Sequence, residues 1–372
     1  MVQSTIREEM IRARFLAATM WLGVLLAVAP FANAATTYTF VQFDVPSAPN
    51  TNAFGINDQG QIVGIFAAIG FPTPHGFLRD TNGSFTTIDW PGLPSGCITW
   101  ASGINNAGEI VGFFGNRSPP CSRPEHGFLF TPLGHDNGGS FTQIDVSDAV
   151  ETNAYGINNR GQITGGFTVL NHGHGFVDTD GSFTAFDVPG ALHTGGTGIN
   201  DAGLIVGIFV ALPGILGNPV PHGFLRDTNG TFTTIDMPGQ LQAAGRGGEH
   251  GINNAGQIVG SFYPGAGTSL GPAHGFVRYT NGTMIQLDVP GAMQTGAAGI
   301  NNAGQIVGVS VSSDFLQHGF VATPVFRGTP GQTNCYGKSV SRSHDVFVGD
   351  DCFHIKVRIA TVHFGADHER LG

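Results

Sequence analysis

Charge is what this sequence has least of: charged side chains make up 11% of its 372 residues, against an average of about 25%. The formal net charge is −10, and no segment carries a basic stripe. A nucleic-acid-binding face, which needs clustered Lys and Arg, is therefore excluded. Cysteine is scarce as well, with four in the chain, so three full pairings are open. No stretch beyond the amino-terminal one could span a bilayer, and no membrane span is expected in the mature chain. The sequence also lacks a nucleophile elbow, a zinc-binding helix and a phosphate loop. No catalytic group is assigned on that basis, and no cofactor or metal is expected.

What the chain does have is 58 Gly, 29 Phe and 41% hydrophobic residues. Glycine without a three-residue period is not collagen, and so much apolar material is not disorder. A turn-rich all-β protein remains. At the amino end, Arg7, Arg12 and Arg14 precede an apolar run from Phe15 to Pro30, followed by Ala32-Asn33-Ala34. This is the pattern of a secretory signal peptide cut after Ala34. An uncleaved anchor is the competing reading, but the run is shorter than the ~20 residues a span needs. Met10 is an alternative start. The expected organisation is a signal peptide over 1–34, a repeat domain over 35–324 and a charged, weakly structured tail over 325–372. The expected location is extracellular or periplasmic.

Gly-Ile-Asn occurs at Gly55, Gly103, Gly156, Gly198, Gly251 and Gly299, at steps of 48, 53, 42, 53 and 48 by subtraction. Each copy continues into a short apolar run and then His-Gly-Phe, at His75, His126, His174, His222, His274 and His318. Phe-Thr-x-apolar-Asp closes most copies. The first copy thus reads as four strands: a (Thr51 to Asn57), b (Gln61 to Phe66), c (His75 to Arg79) and d (Ser84 to Asp89). Asn57 to Gly60 and Asp80 to Gly83 read as tight hairpin turns, with Asn-Gly supplying positive φ angles. Four strands per repeat of roughly 40–50 residues is the signature of a β-propeller blade.

The sixth copy stops after strand c, at His318 to Thr323. Phe40 to Pro46, at the other end of the chain, matches strand d. The expected fold is therefore a six-bladed β-propeller of four-stranded blades, with the amino-terminal strand completing the last blade. Gly-Ile-Asn-x-x-Gly-x-Ile-Val-Gly followed by His-Gly-Phe resembles the HAF family of bacterial extracellular repeat proteins, from Tyr38 to about Thr323. That resemblance implies a bacterial exported protein with a propeller-like fold. It implies no activity.

In such a ring, strand a lines the channel and the variable b–c and d–a loops share one face, where binding usually resides. The six His sit too far apart for a metal shell and read as structural, each paired with the strand-d Asp or a Gly-Ile-Asn carbonyl. The strand-d Asp residues read as capping the turn at the following Pro. Asp178 to Gly181 reads as a hairpin turn rather than a calcium loop. The fifth copy alone replaces the Thr and small residue of strand a with Gly247 and Glu249, beside Arg246 and His250. Arg246, Glu249 and His250 are candidate ligand-binding residues, with a local ion pair as the plainer reading. Trp90, Trp100 and Tyr263 are candidates for sugar stacking or protein contact, or for covering apolar loop cores. A Cys97–Cys121 disulfide is expected between two loops of one face, leaving Cys335 and Cys352 to pair in the tail.

The reading these features favour is a monomeric, exported, non-catalytic binding module whose ligand the sequence does not identify, a glycan or a surface protein being the candidates. A polysaccharide-acting enzyme with its site at the channel mouth and an architectural surface protein are the alternatives.

Overall fold

The computed structural model describes residues 37–68, 71–116, 121, 123–133, 138–211, 221–235, 251–266 and 269–325. The signal-peptide reading, the charged tail, Arg246, Glu249, His250, Cys335 and Cys352 lie outside the described residues. Within them every regular element is a strand, and no helix is long and apolar enough to cross a membrane.

The second copy displays the unit in full. Ile98–Ile104, Ile110–Asn116, Arg123–Pro132 and Gly139–Ile144 form one antiparallel ladder in chain order. The first copy has the same order, over Asn50–Ile56, Ile62–Ala68, Phe71–Arg79 and Phe85–Ile88. Strand c begins earlier than its His-Gly-Phe motif indicated, because strand b extends to Ala68 and pairs with Phe71 past a bulge. Thr37–Phe43 pairs antiparallel with Gln317–Val325, from Thr37↔Val325 to Phe43↔Gly319. The amino-terminal strand thus takes the place that strand d holds in the other copies.

The a–b turns show why Asn begins them and Gly ends them. In the first, Asn57 N donates to the Gln61 carbonyl, and Gly60 N donates back to the Asn57 carbonyl. Only Gly60 needs a positive φ, of 86°. The turn is therefore a three-residue loop closed by a left-handed glycine, not the two-residue form with both central residues positive. The two-residue form appears in the third copy, where Asp180 and Gly181 both have positive φ (52° and 81°). That hairpin accounts for the calcium-like spacing.

Each copy buries the Phe of His-Gly-Phe completely: Phe77, Phe128, Phe176, Phe224, Phe276 and Phe320 are at most 1% exposed. Burial of such a ring contributes about 1.5–3 kcal/mol. The apolar clusters lie between consecutive copies. One joins Val63 and Ile88 of the first to Ile104 and Phe128 of the second, and another joins Val307 of the sixth to Ala53 and Phe77 of the first. No copy buries its core alone, so neighbours must stack. Packing returns from the last copy to the first in a β-propeller-like all-β fold.

Candidate functional site

Strand a carries three instructions in its sequence. The Thr four residues before Gly ties down the d–a turn. Thr51, Thr99, Thr152, Thr194 and Thr295 each accept the backbone N–H of the residue following the strand-d Asp, at 2.9–3.1 Å. The small residue two before Gly lets copies approach: a Cβ placed on Gly76 would meet the Ala101 Cβ of the next copy at 3.3 Å. Between that residue and Gly the register slips by one in every fully described copy, as at Ala53/Gly55 and Ala154/Gly156. This β-bulge inserts one extra residue per copy into strand a and re-aims its side chain. Phe54, Ser102, Tyr155, Thr197 and Ala298 are those residues, and they line a central cavity of about 80 Å³.

The Gly of Gly-Ile-Asn sets the width of this cavity. A Cβ on Gly156 would lie 3.0 Å from the Gly198 Cα and 3.1 Å from the Thr197 carbonyl oxygen. Equivalent approaches recur at Gly55, Gly251 and Gly299. The Asn then closes a circuit. Its Nδ2 donates to the carbonyl of the next copy's Asn, from Asn57 to Asn105 and onward to Asn301, whose Nδ2 returns to the Asn57 carbonyl at 3.1 Å. The following residue forms a second circuit, in which each backbone N–H donates to the Oδ1 of the next copy at 2.8–2.9 Å. Its members are Asp58, Asn106, Asn159, Asp201, Asn254 and Asn302. Each Asn in it donates Nδ2 to an adjacent Asp. Burial presses the Asp201 carboxyl pKa upward, but donors from Asn159 and Asn254, with Arg160 nearby, outweigh it and hold the pKa below the usual carboxylate value. The turn end of the channel is thus rimmed by mutually satisfied polar groups.

The loop end is different. Cys97 and Cys121 are joined by a disulfide, which places a d–a loop beside a b–c loop. Val150 N donates to the Thr168 carbonyl and Met293 N to the Val311 carbonyl, so in the third and sixth copies the end of the d–a loop is bonded to the end of strand b. Exposed apolar side chains gather here: Leu170 is 84% exposed at φ 47°, and Phe315 is 73% exposed at φ 64°. Bulky residues are uncommon at positive φ. Deeper in, a row of aromatic rings runs over the first three copies. Trp100 stacks between Phe54 at 5.1 Å and Phe113 at 5.5 Å, and Phe113 meets Tyr155 edge-on at 5.9 Å. Four buried side-chain atoms of the same three strands have no hydrogen-bond partner: Asn52 Oδ1, Trp100 Nε1, Ser102 Oγ and Asn153 Oδ1.

Of the residues singled out from sequence, Trp100 lies in this row. Trp90 instead stacks on Phe114 at 3.9 Å and joins the core between the first two copies. Tyr263 is half-buried just after strand b of the fifth copy. The His residues are structural pairs: His75–Asp89, His126–Asp145, His174–Asp187, His274–Asp288 and His318–Asp44 at 2.6–3.0 Å. Five of the six His, His222 among them, also lie against a strand-b Phe at 5.2–5.5 Å. The strand-d Asp therefore bonds His and does not cap its turn. In most copies the residue two positions on is Pro, which has no N–H to offer an Asx turn. Apart from His250, which was singled out, the residues at the bulge position were missed, although a signal existed: it reads Phe, Ser, Tyr, Thr, His and Ala within an otherwise constant motif.

No family model matches the chain, and no curated protein matches it. Solved structures do. TolB from Acinetobacter baumannii is 13% identical at a TM-score of 0.44, with 71% of this chain covering 64% of that one. A putative TolB from Agrobacterium tumefaciens is 13% identical at a TM-score of 0.49, with 78% of this chain and 100% of that one covered. A gluconolactonase from Xanthomonas campestris is 10% identical at a TM-score of 0.44, over 77% and 90% of the two chains.

Proposed function

We propose that this chain is an exported, six-bladed β-propeller of the HAF-repeat kind, closed by its amino-terminal strand, and that it is a non-catalytic binding module working through its loop-rich face. One observation carries the functional part. Polar groups at the turn end of the channel bond one another in complete circuits, whereas toward the loop end strand a of the first three copies holds four unpartnered atoms, beside the aromatic row and the exposed apolar tips; the other unpartnered side-chain atoms, among them Asp178 Oδ1 and Arg226 Nε, are on strands c and d. Groups left over after the fold is satisfied are the ones available to a ligand. Placement of the chain ends agrees. Thr37 and Val325 are register partners at the turn side, so both flanking segments join the fold away from the loop face. Six circuit members and clusters that run from sixth copy to first support the blade count. The disulfide supports export, since such bonds persist in oxidising compartments.

The test is retention of the purified mature chain on bacterial cell envelopes and on insoluble extracellular polymers. Leu170→Glu combined with Phe315→Glu on the loop face should cut retention about tenfold or more. Leu133→Glu, also exposed but on the c–d turn side, should leave it unchanged. The reverse pattern overturns the reading, and release of soluble products from the polymer would make the protein an enzyme.

A further inference from the structure

We infer that three c–d turns are sites of covalent glycan attachment, at the side-chain amides of Asn82, Asn229 and Asn281. This rests on the export reading, because Asn-x-Ser/Thr is an acceptor motif of secreted proteins.

The motif occurs four times, at Asn82-Gly83-Ser84, Asn116-Arg117-Ser118, Asn229-Gly230-Thr231 and Asn281-Gly282-Thr283. Arg117 and Ser118 lie outside the described residues. The other three occupy one equivalent place, the c–d turn of the first, fourth and fifth copies, and each Asn there is exposed. None of the six Asn of Gly-Ile-Asn, which are buried in the circuit, begins such a motif.

Hairpin chemistry accounts for the Asn and the Gly but not for the hydroxyl after them. Each Gly has a positive φ (86°, 85° and 85°), and its N–H donates to the carbonyl of Asp80, Asp227 or Tyr279 at 2.9–3.0 Å. Ser84, Thr231 and Thr283 close the turns with their carbonyls, which accept the N–H of those same three residues at 2.8–2.9 Å. Their side chains are exposed, and among the described residues their hydroxyls bond nothing. A hydroxyl two residues after an exposed Asn is what the motif needs and the hairpin does not.

The amides are suitably disposed. Asn82 Oδ1 accepts Ser84 N at 2.8 Å, and Asn281 Oδ1 accepts Thr283 N at 2.9 Å. Each amide oxygen is thus tied to its own turn, while Nδ2, the atom a sugar joins, has no partner among the described residues. In the fourth copy Asp227 Oδ1 takes the N–H groups of Asn229 and Thr231, at 2.9 and 2.8 Å, and leaves the Asn229 amide unbound. All three turns lie beside the a–b turns. Gln61 Nε2 donates to Asp80 Oδ1 at 3.2 Å, and a Cβ on Gly203 or Gly256 would meet Thr228 or Thr280 at 3.6 or 3.0 Å. A bulky polar group there leaves the loop face clear and adds hydration to a chain with only 11% charged residues.

The donor class is a glycosyl diphosphate. Nδ2 forms a bond to the anomeric carbon, that carbon's bond to the diphosphate oxygen breaks, and one Nδ2 proton leaves with the diphosphate. Nothing is oxidised or reduced.

The test is the intact mass and peptide map of the full mature chain, purified from the exported fraction of the organism that makes it. The mass should exceed that of the polypeptide, with the excess on the peptides that contain Asn82, Asn229 and Asn281. None of these Asn has a positive φ, so Gln fits the same backbone. Asn82→Gln should remove one glycan. Ser84→Ala should remove the same one although Asn82 remains, and Ser84→Thr should keep it. An exported chain with the mass of the polypeptide alone would overturn this inference and leave the export reading standing. Excess mass that survives replacement of all three Asn, or that stays on Asn82 in Ser84→Ala, would also overturn it. Recovery of the chain from the cytoplasm alone would overturn the export reading with it.

Discussion

Asn158 makes four hydrogen bonds with one amide while only 4% exposed. Nδ2 donates to Gln162 Oε1 at 2.9 Å and to the Asn200 carbonyl at 3.0 Å, and Oδ1 accepts from Arg160 N and Gln162 N at 3.0 Å each. No other side chain of that size could satisfy both neighbours. Asn158→Ala leaves buried donors and acceptors without partners and should lower the unfolding free energy in urea by about 3 kcal/mol. Asn159→Ala, one residue on and exposed, should cost less than about 1 kcal/mol. Asp178 is the opposite case. Burial raises its carboxyl pKa, a raising that the hydrogen bond from Gly181 N only partly offsets, and its Oδ1 has no partner. A carboxyl whose folded pKa lies above its unfolded value holds its proton more tightly when folded. Its ionised form therefore costs stability, and that cost sets in as pH rises from the unfolded pKa, about 3.9, through the folded one. Asp178→Asn keeps an acceptor for Gly181 and removes the charge. It should be more stable than the wild type at pH 7, and the gain should vanish as pH falls below about 4. An unchanged difference between melts at pH 7 and pH 3.5 would contradict this.

At the scale of strands and loops, the Cys97–Cys121 disulfide binds a d–a loop to the b–c loop that follows it. At a sequence separation of 24, the cross-link restricts the unfolded chain by about 3 kcal/mol. Cys97→Ser with Cys121→Ser should lower the Tm and admit proteases first at residues 91–97 and 117–123, while the rest of the ladder stays protected. Equal protection with and without the bond would mean that the loops are held by the Trp90–Phe114 stack alone. Elements of this kind were legible in the sequence for a plain reason: hairpin turns, buried Phe and strand-b apolar runs repeat six times, and repetition separates signal from accident. The disulfide was legible because two loops of one face carried the only Cys within the repeats. The site was less so. The one copy that breaks the strand-a pattern is the fifth, whose Arg246, Glu249 and His250 fall outside the described residues. The bulge residues obey no rule at all, and a bulge is a register slip that strand patterning cannot reveal. Trp90 looked like a ligand platform because nothing in the sequence tells a ring stacked on Phe114 from one facing solvent. The strand-d Asp was legible as the partner of His, but not as a turn cap, since in most copies the Pro two residues later cannot donate.

Across the whole molecule, cohesion is cyclic, and its weakest link is the one joint made by residues far apart in sequence. Everywhere else a strand d follows its strand c through a short turn. In the last ladder, Thr37–Phe43 must return from the far end of the chain to pair with Gln317–Val325. Phe40 meets the buried Phe320 at 5.8 Å, Phe43 reaches Phe77 of the first copy at 6.4 Å, and Asp44 bonds His318 at 3.0 Å. Arg79 of the first copy lies over the Phe43 ring at 5.0 Å. This strand therefore bridges the last copy to the first, as well as completing the last. Phe43→Ala should cost about 3 kcal/mol, more than truncating Phe141, a strand-d Phe in a ladder closed by its own short turn. Removing residues 1–44 should lower the Tm by more than about 10 °C and expose Phe320 to an apolar dye. A synthetic peptide spanning residues 37–46 should bind the truncated chain and restore both properties, because the strand's contacts do not depend on its covalent connection. A truncated chain that melts like the intact one would mean that the Asn57–Asn301 circuit and the apolar clusters hold the ring shut unaided.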